Sequence, residues 1–284
     1  MSLMAAFALT ALTACDTVEE NERWGEKVPV EFRKKVLVED FTGQNCPNCP
    51  LATNLLKNLM TSPTIAEHVI PVSIHGGSMA FDGEKIPFGL ATKAGAEYNA
   101  KWNVAAWPSG LVDRKGGLQE YTAWTNSIVD RLALTPQVNI DIRSSYNAET
   151  RRLDLNVNAI EAVAGALEDA HLTVWIVESG IVSRQQLPNG GGLDANYEHN
   201  HVLRDCLTEL MGDAVDALPV AVAEDGVRSV VWSKTYEVPL GYGLAAKYPA
   251  YYCKPENMGV VAFVTDKDGV VMQVEETPLS GTEE

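Results

Sequence analysis

Two cysteines separated by two residues, Cys46-Pro47-Asn48-Cys49, are the part of this chain best suited to chemistry. Where a helix begins at such a pair, free backbone amides and the helix dipole stabilise a thiolate at the first sulfur. Cys46 then acts as nucleophile on a disulfide, and Cys49, one turn on, resolves the mixed disulfide by attacking Cys46. Pro47 removes one amide that could bond the thiolate, and the Asn48 side chain offers a donor in its place. Zinc is the usual rival, but a structural zinc takes four ligands. The nearest further pair is His199 and His201, which share one face of an extended segment and have no cysteine beside them in sequence. The expectation is therefore no metal and no cofactor, with those two histidines as the weak candidates. Asp266-Lys267-Asp268-Gly269 imitates part of a calcium loop yet lacks its remaining ligands, and reads as a hairpin turn.

The elements that must position the pair are legible on either side of it. Val36 to Phe41 (VLVEDF) is a β-branched apolar run, as in a strand buried on both faces. After the motif, Leu51, Leu55, Leu56 and Leu59 fall at helical spacing, with Pro63 beyond the helix end. A strand at His68 to His75, a helix through Gly89 to Trp102, a strand at Gly110 to Arg114 and a helix at Thr122 to Leu134 follow. Alternating strands and helices predict an α/β unit with a mixed sheet covered by helices.

From Pro136 the texture changes. Gln137 to Arg143 and Arg152 to Asn158 alternate apolar and polar around a turn at Asn147 to Thr150, which predicts an antiparallel hairpin. His171 to Glu178, Val227 to Val238, Met258 to Thr265 and Val270 to Glu275 also read as strands, and together these predict a β-sandwich. Ile181 to Tyr197, with Gly190-Gly191-Gly192, reads as a long irregular loop.

The segment VLVEDFTGQNCPNC resembles the thioredoxin superfamily. The resemblance implies that Asp40, six residues before the first Cys, is a buried proton acceptor. It also implies that Pro108, in Val104-Ala105-Ala106-Trp107-Pro108-Ser109-Gly110, is a cis-Pro beside the Cys pair that shapes a substrate groove with Trp107, Asn45, Pro47 and Asn48. Thr42 and Asn45 stand where family members usually carry aromatic residues, so substrate contacts differ. A peroxidase of the peroxiredoxin type would want Thr where Gly43 stands, and is set aside.

The chain has 284 residues, room for two domains, with 46% hydrophobic and 21% charged residues, the mixture of a globular protein. A formal charge of -16 argues against nucleic acid and anionic lipid surfaces as partners. Met4 to Ala14 is a short apolar run of export-signal type, although Met1-Ser2-Leu3 carries none of the usual basic residues. Leu12-Thr13-Ala14-Cys15 resembles a bacterial lipobox, which makes Cys15 the expected lipid attachment and the lipid the only membrane contact. In an oxidising compartment Cys46 and Cys49 form one pair, and Cys206 and Cys253 remain as a candidate structural bridge.

Two later segments, His199 to Arg204 (HNHVLR) and Pro255 to Val264 (PENMGVVAFV), resemble a family of outer-membrane-associated lipoproteins of Gram-negative anaerobes, over most of residues 30 to 276. That resemblance implies a signal remnant, lipobox and tether over 1–29, a thioredoxin-like α/β domain over 30–135 and an all-β immunoglobulin-like sandwich over 136–284. It also implies the cell envelope as the location, with an outer-membrane anchor facing periplasm or surface. The expected function is thiol-disulfide exchange with protein thiols and disulfides. The alternative is a surface binding or adhesion lipoprotein whose Cys pair is static.

Overall fold

Every residue of the strand ahead of the Cys pair is buried, Glu39 and Asp40 included, so β1 (Val36–Thr42) is a central strand with packing on both faces. A computed structural model describes residues 33–223 and 226–279. The signal remnant and Cys15 lie outside the described residues.

After β1 come α1 (Cys49–Leu59), α2 (Pro63–Ala66), β2 (Val69–His75), α3 (Lys93–Lys101), β3 (Ser109–Val112), β4 (Gln119–Glu120) and α4 (Trp124–Leu132). Strands then predominate: β5 (Val138–Asn147), β6 (Arg152–Glu161), β7 (His171–Glu178), β8 (Ile181–Gln186), β9 (Leu193–His199) and β10 (Val202–Cys206). The last are β11 (Asp213–Ala214), β12 (Val220–Val222), β13 (Arg228–Glu237), β14 (Met258–Thr265) and β15 (Val271–Pro278). Among the described residues no helix is long and apolar enough to cross a membrane.

One nine-stranded mixed sheet organises the molecule, in the order β15-β14-β7-β10-β2-β1-β3-β4 with β11 on β7. β1 and β2 run parallel in register from Val36 opposite Val69 to Thr42 opposite His75, and β3 lies antiparallel to β1. The join between early and late strands is narrow: β10 pairs with β2 at Val202 opposite Ser73, and with β7 along four positions. A four-stranded sheet, β12-β13-β6-β5, packs its inward residues Leu153, Leu155, Val157 and Ala159 against Leu172, Val174 and Ile176 of β7 and Val260 and Ala262 of β14.

This corrects the expectation of an α/β thioredoxin-like domain followed by an immunoglobulin-like sandwich. β1 to β4 do not form a sheet of their own. β10, β7, β14 and β15 extend it, and one core joins Leu37, Phe41 and Ile74 to Trp175, Val177, Leu203 and Phe263. The physical reason is visible in β7 and β14, whose residues from Leu172 to Glu178 and from Met258 to Thr265 are all buried. A half-solvated sandwich strand alternates, whereas a continuous apolar run belongs in the middle of a layered sheet.

Polar ties cross the same core. Arg114 makes a two-pronged pair with Glu39, at 2.9 and 3.0 Å, both side chains fully buried. Its guanidinium carbon also lies 4.8 Å from the Phe263 ring centre. Trp175 Nε1 donates to Tyr98 Oη at 3.0 Å. The other face of β1 packs Val36 and Val38 on Ala52 and Leu56 of α1 and on Trp124 and Ile128 of α4.

Local expectations were met where chemistry fixed the turn. The hairpin β5-β6 turns at Asn147, whose Oδ1 accepts the Thr150 amide at 3.0 Å. In the β14-β15 turn Asp266 Oδ1 accepts the amides of Asp268 and Val270, each at 2.9 Å, and Gly269 takes a left-handed φ of 80°. The long loop expected over Ile181 to Tyr197 is instead the antiparallel ribbon β8-β9, and only the glycine tip is irregular.

Candidate functional site

Cys46 and Cys49 form a disulfide, and each is 1% exposed. β1 delivers the chain to the site and α1 leaves it. The helix begins at Cys49, with Pro50 in its first turn, where a missing amide is harmless. Asn48 takes the N-cap position without a side-chain cap, and Asn45, Pro47 and Asn48 are exposed where the two cysteines beside them are buried. Gly43 is required by space, because a Cβ there would lie 2.2 Å from Met79 O. The loop is tied by Cys46 N to Gly43 O at 3.0 Å and by Asn45 N to Met79 O at 2.8 Å.

Two buried glutamines, unforeseen in the sequence, tie the loop to later segments, Gln185 from β8 and Gln44 from within the loop itself. Gln185 of β8 donates from Nε2 to Cys46 O at 2.9 Å and to Gly43 O at 3.3 Å. Gln44 donates to Ser183 Oγ at 2.8 Å and Phe88 O at 3.0 Å and accepts the Leu90 amide at 3.0 Å. A glutamine reads as a surface residue by type, and the only available hint was the polar cluster Ser183-Arg184-Gln185-Gln186 inside a segment bounded by apolar residues.

Asp40 lies on the α1 side of β1, 1% exposed, and its Oδ1 has no partner. Burial raises its carboxyl to about 7. The register sets Ser73 beside Asp40 and His75 beside Thr42, so the ends of β1 and β2 present four polar side chains below α1. His75 is 2% exposed and its Nδ1 lacks a partner. Burial, then the neighbouring His199 and Arg204, hold it well below the ordinary histidine value. Burial lowers His199 to about 4, and its ring centre is 5.3 Å from that of His75. A cavity of about 40 Å³ lined by Cys49, Thr53, Ser73, His75, Tyr197 and His199 lies behind the disulfide. That volume admits water, and the lining supplies the polar partners water needs.

The peptide between Trp107 and Pro108 is cis. Ser109 pairs with Phe41, which puts Pro108 at the same end of β1 as the Cys loop. Trp107 is half-buried and its ring lies against Gly77.

Other sequence candidates fall elsewhere. Cys206 and Cys253 are not bridged, which corrects the expected pairing. Cys206 Sγ sits 3.6 Å from Tyr98 Oη, whereas Cys253 Sγ lies 2.8 Å from Pro239 O and 3.4 Å from Arg151 Nη2. Each thiol is thus engaged within its own surroundings, Cys206 at the end of β10 and Cys253 in a loop. His201 turns away from His199, taking a left-handed φ of 48° and meeting Glu276 at 3.3 Å. Among the described residues no three His, Cys, Asp or Glu side chains cluster as metal ligands.

A family model described as Outer membrane protein Omp28 matches residues 95–282, a span that begins after the Cys pair. Among solved structures, HBP35 of Porphyromonas gingivalis superposes with a TM-score of 0.65 at 17% identity, over 89% of this chain and 79% of that one. A crystal structure of a protein from Agrobacterium tumefaciens gives 0.50 at 16% identity, over 89% and 98%. At such identities these likenesses speak for the fold alone. No curated protein sequence matches the chain.

Proposed function

Because this chain belongs to the outer membrane protein Omp28 family, we propose that it works in the cell envelope as a thiol-disulfide exchange protein, acting through the Cys46-Cys49 couple. The observation that carries the proposal is the disulfide itself, closed between the loop after β1 and the first residue of α1. In the reduced protein the Cys46 thiolate attacks a substrate disulfide. One new S–S bond joins Cys46 to the substrate, and the other substrate sulfur leaves as a thiolate. Cys49 then attacks Cys46 Sγ, the substrate leaves with both electrons, and the Cys46-Cys49 bond returns. Asp40, with its carboxyl near 7, is the group on β1 suited to take the Cys49 proton. Asn45, Pro47, Asn48, Trp107 and Pro108 would meet the substrate protein. Anchoring through a lipid on Cys15 belongs to the same proposal; fatty-acid labelling lost in Cys15→Ser supports it, and labelling retained removes it.

A second function class is favoured by one observation: both cysteines are 1% exposed and the loop is clamped by Gln185. In that reading the bond is a static brace in a surface binding protein. Equilibration in glutathione buffers with an insulin-reduction assay separates the two. Turnover that vanishes in Cys46→Ser, with a potential above about -300 mV, supports exchange. A lower potential with no turnover by the wild type leaves the brace.

A further inference from the structure

A cavity of about 130 Å³ lies between residues 87–90, the start of β8 and the turn around Tyr251, and no cysteine lines it. Its hydrocarbon walls are Phe88, Val182, Tyr251 and Tyr252. Val182, Tyr251 and Tyr252 are 56%, 40% and 36% exposed, an apolar cluster at the mouth that folding leaves uncovered. In size the cavity is close to the engineered cavity of about 150 Å³ that takes benzene, so it suits one aromatic ring or a branched aliphatic group of that bulk.

The charged lining is unusual for so acidic a chain. Two bases, Arg204 and Lys254, stand against one acid, Glu178, where the whole chain carries -16. Arg204 is 5% exposed, and its guanidinium is only partly used. Its Nε lies 3.3 Å from Glu178 Oε2 and its carbon 4.6 Å from the Tyr242 ring centre, while Nη1 has no partner. Glu178 turns its Oε1 to the Lys254 amide at 2.9 Å, and neither of its oxygens pairs with Nη1. A buried guanidinium hydrogen without an acceptor is costly, and the planar fork of arginine matches a carboxylate. Lys254, exposed beside it, adds a second positive charge to the site.

We propose that this cavity binds a small apolar carboxylate about the size of benzoate, with its charge on Arg204 and Lys254 and its hydrocarbon against Phe88, Val182 and Tyr251. The same chemistry is offered by a free organic acid and by the C-terminal carboxylate of a peptide ending in an aromatic residue. No cysteine lines the site, and Gln44 of the disulfide loop reaches its wall through Phe88 O, the Leu90 amide and Ser183 Oγ.

Titration of the full chain by calorimetry tests this with four probes: benzoate, benzamide, and a tetrapeptide ending in Phe as its free acid and as its amide. Benzoate is expected to saturate the protein and to bind at least about ten-fold more tightly than benzamide, the gain of one charge-assisted pair. Saturation by the peptide acid but not its amide extends the site to chain termini, and failure of both peptides confines it to free acids. Arg204→Met should abolish the preference for benzoate. Because that change leaves Glu178 alone and can unfold the protein, Lys254→Met and Tyr251→Ala are read beside it. Lys254→Met should weaken benzoate and spare benzamide, whereas Tyr251→Ala should weaken both. Equal binding of benzoate and benzamide, no saturation by either, or benzoate binding unchanged in both surface variants overturns the proposal.

Discussion

Gln185 Nε2 donates to the main-chain oxygen of Cys46 at 2.9 Å, joining residues 139 positions apart. The bond makes the β8-β9 ribbon a clamp on the disulfide loop. Gln185→Leu keeps the bulk and removes the donor from two buried carbonyls, Cys46 O and Gly43 O. The variant should lose about 1–3 kcal/mol in urea unfolding, and dithiothreitol should reduce its disulfide faster than in the wild type. A midpoint and a reduction rate equal to the wild type would remove the clamp.

Asp40 predicts a stability that depends on pH in a defined sense. Its carboxyl, at about 7 when folded, binds a proton that the unfolded chain releases near the ordinary 3.8. Native protein therefore holds more protons between those values, and this contribution to stability falls as pH rises from about 4 through 7, by about 4 kcal/mol at most. His199, lowered to about 4, and His75, also held well below the ordinary histidine value by burial, act in the opposite sense by disfavouring the folded state as pH falls below 6.5. The difference between Asp40→Asn and wild type isolates the aspartate. Urea titrations should show the variant gaining on the wild type up to pH 8 and losing that advantage by pH 4. A difference that does not change with pH contradicts the burial argument.

Glu39 and Arg114 are a fully buried pair, and removal of one partner leaves a charge without compensation. Arg114→Met should cost about 3–5 kcal/mol, and the double change with Glu39→Met should recover much of it. Chemical denaturation of the three variants forms the cycle. Equal losses in the single and double variants would show that the arginine matters through its contacts with Phe263 and Trp102 rather than through Glu39.

The two unbridged thiols should differ sharply in access. Cys206 is half-buried, whereas Cys253 is 6% exposed and burial pushes its thiol up from the usual range. With Cys15 replaced by Ser and the Cys46-Cys49 bond intact, Ellman's reagent should titrate Cys206 in the native protein. Cys253 should follow only on unfolding, slower by about a thousand-fold or more. Rapid titration of both would contradict the packing around Pro239.

Much of the local structure was legible because local chemistry dictates it. The β-branched run of β1, the leucine spacing of α1 and the turns at Asn147 and Asp266 each carry their own signal, and β14 was placed at its observed bounds. Sheet partnership was not legible. Nothing in Val202 to Cys206 says that this strand lies between β2 and β7, since neighbours are selected by packing across the whole chain. For the site, the spacing of the Cys pair and Asp40 could be read, but Gln44, Gln185 and His75 could not. Their residue types are common at surfaces, and only the fold brings their polar atoms indoors.

The single rung between Val202 and Ser73 also dictates a timetable for the growing chain. β2 is finished at residue 75, yet β10, which pairs with its open edge at Ser73, does not exist until residue 206 has emerged. Through that interval Ile70, Val72 and Ile74, whose core partners Trp175, Val177, Leu203 and Phe263 come later in the chain, offer an uncovered apolar flank to any passing polypeptide. A chain cut short before β10 keeps that flank permanently. Truncation near residue 200 should therefore yield aggregates rather than a smaller soluble protein, and during synthesis or transport the early half needs to be held apart until its late partner arrives.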